Sequence, residues 1–432
     1  MISQALFIII LAAAIYLFSK NVGKIRRNIL LGRPADRSDN PALRWKTMAK
    51  IALGQTKMVK RPVAAILHFF IYVGFIIINI EVLEILIDGV FGTHRIFSAP
   101  LGGLYNVLIG SFEVLALLVL IACIGFLSRR NIVHLKRFSG VEMTTWPKSD
   151  ANYILIIEIL LMTAFLTMNA ADGKLQALGV GHYIHAGGFP ISSFLALLLP
   201  DSANALEMIE RGCWWFHIVG ILAFLNYLPY SKHFHILLAF PNTYYSNLNP
   251  KGKFENMPSV TNEVKAMLDP SFTPPAAEIS RFGAKDVTDL TWKNLMEAYT
   301  CTECGRCTSA CPANQTGKLL SPRKIMMDTR DRITEVGKGI DAQGKDFKDD
   351  KSLLDNYISR EEIWACTTCN ACAEACPVNI NPLEIIVELR QFIVMEESQA
   401  PASLNNMFGN VENNGAPWKY SNADRLNWAK TE

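Results

Sequence analysis

A chain of 432 residues is long enough for more than one domain, and its composition is too apolar for an ordinary soluble protein. Half of its residues are hydrophobic and 19% are charged, against ~25% in typical soluble domains. Charge is sparse before about residue 230 and ordinary after it, which predicts a membrane half followed by a soluble half. The net charge of +3 and the absence of a basic stripe with interleaved aromatics argue against a nucleic-acid partner.

Five apolar segments are long enough to cross a bilayer as helices. They cover approximately residues 2–19, 63–88, 104–127, 152–170 and 212–228. We interpret the first as a span, because it lacks the basic start and small-residue cleavage site of a signal peptide. Residues 189–199 are too short to cross and favour an interfacial helix. After the fifth span, we expect Pro229 to kink the helix without necessarily ending it, and Pro241 to end it.

Loop charge predicts the orientation in the membrane. Residues 20–62 carry twelve Lys or Arg and residues 128–150 carry five, whereas the alternate loops hold only Arg95, Lys174 and Arg211. The positive-inside rule then places the N-terminus outside a bacterial inner (plasma) membrane and the C-terminal half in the cytoplasm. An odd number of spans agrees with this topology. Cytoplasmic thiols stay reduced, which favours metal ligation over disulfides for the cysteines of that half.

Eight of the ten cysteines form two near-copies, "CTECGRCTSACP" at 301–312 and "CTTCNACAEACP" at 366–377. The C-x2-C-x2-C-x3-C-P spacing is typical of 4Fe–4S clusters, and in two-cluster ferredoxins the fourth cysteine of each run ligates the other cluster. The pattern predicts one cluster on Cys301, Cys304, Cys307 and Cys376, and a second on Cys366, Cys369, Cys372 and Cys311. Two structural zinc sites are the alternative, although zinc sites usually arise from C-x2-C pairs set farther apart.

Residues 290 to 395 resemble the α-helical ferredoxin subunit of heterodisulfide reductase and the iron–sulfur subunits of glycolate and anaerobic glycerol-3-phosphate oxidation. The likeness rests on both cysteine runs, "LLSPRKIMMDTR", "VNINPLEII" and the "ELR" that follows. Many fused relatives continue into a domain with paired CCG motifs, but this sequence has no cysteine after Cys376. The resemblance therefore implies a separate CCG-domain iron–sulfur subunit, and with it an electron-transfer flavoprotein or a 2-hydroxy-acid dehydrogenase module as cytosolic partner.

The membrane half resembles the gamma subunit of respiratory nitrate reductase and related cytochrome b subunits, through "ILHFFIYVGF" at 66–75 and "WWFHIVGILAFLNYLPYSKHFH" at 214–235. The resemblance implies haem b between the second and fifth helices, with His68 and His235 as ligands. Two-haem relatives carry another His ten residues on, where this chain has Ile78. His217 is thus a candidate for a second haem or a core hydrogen-bonding residue. On one continuous helix it would lie ~27 Å from His235, and His233 would face elsewhere.

Four carboxylates fall within or at the ends of the spans, namely Glu81, Glu84, Glu113 and Glu158. They either relay protons to a quinone or cap and pair inside the bundle.

We predict an all-α protein in which a five-helix transmembrane bundle precedes a cytoplasmic α-helical ferredoxin domain with two 4Fe–4S clusters. The expected parts are a cytochrome b-like domain at 1–240, a linker at 241–285, the ferredoxin domain at 286–400, in which residues 335–352 form a loop, and a polar tail at 401–432. No dinucleotide fingerprint, flavin motif or hydrolytic triad is visible. We interpret the chain as a subunit that carries electrons between a cytosolic partner and the (mena)quinone pool, without an organic-substrate site of its own. A membrane redox sensor is the alternative.

Overall fold

The computed structural model describes residues 1–254, 256–275 and 281–430. Within these ranges the regular structure is helical, and extended segments pair only at two isolated bridges. The helices of eight or more residues are α1 Ile2–Ile29, α2 Pro41–Met48, α3 Pro62–Phe91, α4 Gly103–Asn131, α5 Thr145–Ala177, α6 Ala203–Tyr227, α7 His235–Tyr244, α8 Pro258–Leu268, α9 Trp292–Thr300, α10 Pro322–Gln343, α11 Pro382–Met395 and α12 Ala402–Asn414. The predicted all-α fold is confirmed.

Five of these helices, α1, α3, α4, α5 and α6, are long and apolar enough to span a membrane, which confirms the five predicted segments. Helices α3, α4 and α5 run past the predicted segments at both ends, α1 at its C-terminal end and α6 at its N-terminal end. Their outer faces carry exposed large apolar side chains such as Ile9 and Leu83, as expected for contact with lipid. The predicted interfacial helix is shorter than 189–199: it covers Ser192–Ala196, and its neighbour Leu197 is exposed.

The fifth span ends beside Pro229, an outcome that the sequence left open, whereas the prediction that Pro241 ends the helix is wrong. Helix α6 ends at Tyr227, Pro229 lies in a 3-10 turn, and Ser231 is extended before α7 begins at His235. Asp150 on α5 stabilises the break. Its carboxylate accepts hydrogen bonds from the Tyr227 hydroxyl (2.5 Å), the Ser231 hydroxyl (2.7 Å) and the Lys232 backbone N–H (3.1 Å).

Pro241 lies inside α7 rather than at its end, so this helix crosses the expected boundary at residue 240. The turn around the proline has side-chain support. The Thr243 hydroxyl donates to the Ala239 carbonyl (2.8 Å), and the Asn242 amide donates to Val378 O in the cluster domain (2.8 Å). Helix α7 therefore packs the membrane half against the cysteine-bearing half.

The cluster domain is built from α9, α10, α11 and short helices around the two cysteine runs. The short helices are Arg306–Ala310, Pro312–Gln315, Leu353–Asn356, Arg360–Trp364 and Ala371–Ala375. Side-chain caps fix the starts of the longer ones, with Thr291 on α9, Ser321 on α10 and Asn381 on α11. Helix α10 continues to Gln343, so the loop expected from residue 335 begins later.

The two halves share one hydrophobic core. Ile25 and Ile29 of α1 and Phe234 beside α7 belong to the same buried cluster as the core of the cluster domain. The chain after α1 also pairs with the segment before α9: Arg33 N donates to Leu290 O (2.7 Å), and Trp292 N donates to Arg33 O (3.0 Å). The cluster domain is therefore packed directly on one end of the helical bundle.

Candidate functional site

The first thiol set consists of Cys301, Cys304, Cys307 and Cys376, which line one small pocket. Gly305 adopts a left-handed conformation (φ +69°) between Cys304 and Arg306, which turns the chain so that successive thiols face inward. A Cβ on this glycine would lie 2.9 Å from Arg137 O, so the run passes close to the loop between α4 and α5. The structure thus brings three cysteines of the first run together with the last cysteine of the second.

The second thiol set consists of Cys366, Cys369, Cys372 and Cys311. Cys372 lies within electrostatic interaction range of the other three, and Cys366 interacts with Cys311 and Cys369. Cys369 is exposed, whereas Cys311 and Cys372 are buried. The structure therefore groups the eight thiols as the crossed spacing predicts; their role as cluster ligands stays a prediction.

The thiols fit a multi-atom cluster better than a single ion. Among the residues the structure describes, no three His, Cys, Asp or Glu side chains converge closely enough to hold one metal ion, whereas tetrahedral zinc draws its sulfur ligands to ~2.3 Å. Backbone N–H groups point at two of the sulfurs: Thr368 N lies 3.4 Å from Cys366 Sγ, and Ile380 N lies 3.3 Å from Cys376 Sγ. Such hydrogen bonds stabilise the thiolate form that iron requires.

A cavity of about 460 Å³ lies among the membrane helices and reaches the cluster domain. Its walls include His68, His217, His233 and His235, and at the end facing the cluster domain they include Cys304. A volume of ~300–1,000 Å³ with apolar walls and a few polar groups is typical of a cofactor site.

Two of the histidines are oriented as ligands usually are. Nδ1 of His235 lies 3.1 Å from Lys232 O, and Nδ1 of His217 lies 3.0 Å from Leu161 O. A ring that donates from Nδ1 to a carbonyl keeps Nε2 free to bind iron. Nε2 of His217 and Nδ1 of His68 are buried and have no hydrogen-bond partner within the described ranges. The chemistry of these rings suits haem ligation. In His217, Nδ1 is hydrogen-bonded and Nε2 is unpaired.

His233 is the residue that sequence reasoning missed. On an unbroken helix, a rotation of about 100° per residue would place His233 on a different face from His217. The break after Tyr227 instead brings the His233 ring 5.6 Å from that of His235 and 5.3 Å from that of Phe224, centroid to centroid. The ~27 Å separation expected between His217 and His235 along one helix does not apply either. The missed signal is the Ser231 hydroxyl, which accepts from His233 N and starts a new turn.

The four membrane carboxylates differ in their surroundings. Glu84 accepts from Phe97 N (2.8 Å) and from the Tyr105 hydroxyl (2.7 Å), and Glu113 accepts from the N–H groups of residues 191 and 192 (2.8 and 3.0 Å). Pairing therefore accounts for Glu84 and Glu113, whereas Oε2 of Glu81 is buried without a hydrogen-bond partner in the described part of the chain. Glu158 is the one of these four carboxylates that lines the cavity.

These features define a helical membrane protein with an iron–sulfur domain. Residues 300–380 match the 4Fe-4S dicluster domain family. The chain is similar to the probable iron-sulfur-binding oxidoreductase FadF of Bacillus subtilis, with 28% identity over 98% of this chain and 60% of the relative. It is also similar to the EtfAB:quinone oxidoreductase of Syntrophomonas wolfei, with 27% identity over 91% of this chain and 54% of the relative.

The ferredoxin part alone is similar to one subunit of the ferredoxin/F420H2-dependent CoB-CoM heterodisulfide reductase of Methanosarcina acetivorans, with 32% identity over 24% of this chain and 52% of the relative. The chain is thus a homologue of iron–sulfur oxidoreductases, which confirms its resemblance to heterodisulfide reductase-related proteins. It spans 60% and 54% of the two longer relatives. No solved structure matches it significantly.

Proposed function

We propose that this protein is a membrane-anchored electron-transfer subunit that passes electrons between a cytosolic redox partner and the menaquinone pool. Two 4Fe–4S clusters and one haem b, when bound, would supply the one-electron chemistry. Cys301, Cys304, Cys307 and Cys376 would hold one cluster, and Cys366, Cys369, Cys372 and Cys311 the other. His68 and His235 would ligate the haem. The proposal gives the chain no organic-substrate site of its own.

The observation that carries this proposal is a wall shared by the thiols and the cavity. Cys304 lines both the pocket of the first thiol set and the cavity that contains His68 and His235. Groups held at the two sites would be separated by side chains rather than by solvent. Cys301 and Cys376 of the same thiol set are buried, and Cys304 is half-buried.

The second thiol set is the proposed contact point for the cytosolic partner, because Cys369 is exposed whereas the cysteines of the first set are buried or half-buried. Arg390 steadies the loop before Cys369 by donating to Ile363 O (2.7 Å) and Cys366 O (2.6 Å). One relative is named EtfAB:quinone oxidoreductase, which favours an electron-transfer flavoprotein as donor. A CCG-domain iron–sulfur subunit and a 2-hydroxy-acid dehydrogenase module are further proposed partners.

We also propose that the cluster domain lies on the cytoplasmic side of the inner membrane. The basic segment 20–62 supports this, because it sits on the cluster-domain end of the bundle. Lys24 lies 2.7 Å from Asp341 and Arg33 lies 2.7 Å from Glu388, both in the cluster domain. The positive-inside rule assigns this basic segment to the cytoplasmic side. Because the cluster domain contacts the segment, the proposal assigns the domain to the same side.

The test is to add a water-soluble menaquinone analogue to anaerobic membranes that contain the reduced protein. The proposal predicts oxidation of both the haem absorbance band and the cluster electron paramagnetic resonance signals. A membrane redox sensor would keep its signals unchanged when the analogue is added. Unchanged signals in membranes with full iron and haem content would contradict the proposal.

A further inference from the structure

An arginine triad, which we define as Arg129, Arg130 and Arg137, lies at the end of the cavity that faces the cluster domain. Arg129 and Arg130 are in the last turn of α4, and Arg137 follows in the turn Lys136–Phe138. All three line the cavity together with Phe138. The guanidinium carbons of Arg130 and Arg137 lie 4.5 and 4.8 Å from the centroid of the Phe138 ring, which holds both groups in place.

Several donors of this triad lack an acceptor. Nε of Arg130, and Nε and Nη1 of Arg137, are buried without a hydrogen-bond partner in the part of the chain that the structure describes. Glu303 and Asp150 attract Arg130 electrostatically, but in the same ranges their ion pairs are with Lys232 and Arg330. The charged groups that act on Arg137 are Cys304 and other arginines. Arginine guanidinium groups stay cationic in proteins. Buried, charged and unpaired N–H groups are costly and mark a missing anion.

Two neighbouring cations in this region are paired with carboxylates. Lys232 also lines the cavity but is paired with Glu303, and Arg323 is paired with Glu142 at 2.6 Å. Arg33 and Arg37 also have a buried Nε without a partner, but each pairs with a carboxylate through another nitrogen. Arg130 and Arg137 differ from them in having no such ion pair within the described ranges.

The missing anion shares its cavity with the histidines. Arg306, another lining residue, lies within electrostatic interaction range of His68 and of Cys304, and Arg137 also interacts with Cys304. The remaining walls are mostly apolar. A ligand with an apolar body and carboxylates along one edge matches this distribution of charge.

We propose that the arginine triad binds the two propionate carboxylates of the haem, and thereby fixes which edge of the macrocycle faces the first thiol set. This inference rests on the proposed function, since it assumes a haem in the cavity. Guanidinium groups suit carboxylates because they donate two parallel hydrogen bonds. An anionic lipid headgroup would offer the same charge from another source.

The test compares two porphyrins on the full-length protein in detergent after haem extraction. Protohaem IX and its dimethyl ester, which lacks the carboxylate charges, are titrated by Soret absorbance. The wild-type protein is expected to bind protohaem about 10- to 100-fold more tightly than the ester. The triple variant R129Q/R130Q/R137Q should bind both equally, and R26Q, an exposed arginine of α1, should discriminate as the wild type does.

Equal affinity of the wild-type protein for both porphyrins would overturn the inference, and this result does not depend on any variant folding. If the wild type binds neither porphyrin, the proposed haem function fails instead. A parallel titration with phosphatidylglycerol identifies the other source. Triad-dependent binding of that lipid, with no discrimination between the porphyrins, would assign the anion to a headgroup and also overturn the inference.

Discussion

Substitution of Gly32 by alanine should loosen the cluster domain from the membrane half. Gly32 follows α1 at the isolated bridge between Arg33 and Thr291. An alanine Cβ at this position would lie 2.6 Å from Trp292 N, 2.7 Å from Thr291 C and 2.9 Å from Leu290 O. All three are backbone atoms, so no side chain can rotate away, and the two segments must separate.

Overpacking of this kind typically costs about 1–3 kcal/mol. Gly23 provides a matched control, because it lies on the exposed face of α1 and an added Cβ would meet nothing within 4 Å. Gly23→Ala should stabilise the helix by about 0.5–1 kcal/mol, since alanine loses less backbone entropy. The two identical chemical changes should therefore shift stability in opposite directions.

The assay is thermal bleaching of the iron–sulfur absorbance in detergent, with limited proteolysis around residue 33 as a second readout. Gly32→Ala should bleach at a lower temperature than the wild type and be cut faster, whereas Gly23→Ala should bleach at the same or a higher temperature. If Gly32→Ala behaves as Gly23→Ala does, the packing between the halves is not what holds the cluster domain on the bundle.

Two further predictions concern the ligands. Cys304→Ala should lower the non-haem iron content from about eight to about four atoms per chain, measured together with acid-labile sulfide. Cys123→Ala, which changes a free buried cysteine of α4, should keep the full non-haem iron. Two stoichiometric zinc ions in the wild type would refute the cluster assignment. His68→Ala and His235→Ala should each abolish the same haem absorbance band. His94→Ala, which changes a histidine near the opposite end of the bundle, should retain that band. Loss of the band only in His217→Ala would show that the proposed ligand pair is wrong.

The sequence was sufficient where one local property decides the structure. Apolar length alone predicts α1 and α3 to α6, and the spacing of the cysteines predicts both thiol sets, because these signals do not depend on distant residues. The break after Tyr227 could not be predicted, since a proline such as Pro229 is compatible with a kink or an end. Hydrogen bonds from the Ser231 hydroxyl and Lys232 N to Asp150, which lies on another helix, stabilise the end rather than the kink. The error in the position of His233 follows from that break.

The length of α10 has a similar tertiary cause. The Gly/Lys/Asp-rich composition after residue 335 is typical of a loop, yet the segment continues the helix as far as Gln343. Gly337 lies where a Cβ would be 2.4 Å from the Asn28 side chain of α1, and Gly339 lies against Phe347. The glycines permit close packing with these neighbours, and composition alone does not distinguish this role from that of a turn.

The measurement that tests the central claim most directly is haem reduction by a protein-sized donor, followed in stopped flow. Reduced flavodoxin is too large to enter the cavity, so its electrons must pass through the cluster domain. In the wild type and in Cys213→Ala, the reduced haem band should develop after mixing. In Cys304→Ala, the second cluster should still become reduced while the haem band stays oxidised. Equally fast haem reduction in Cys304→Ala would contradict the account, because electrons would then reach the cavity without the first thiol set.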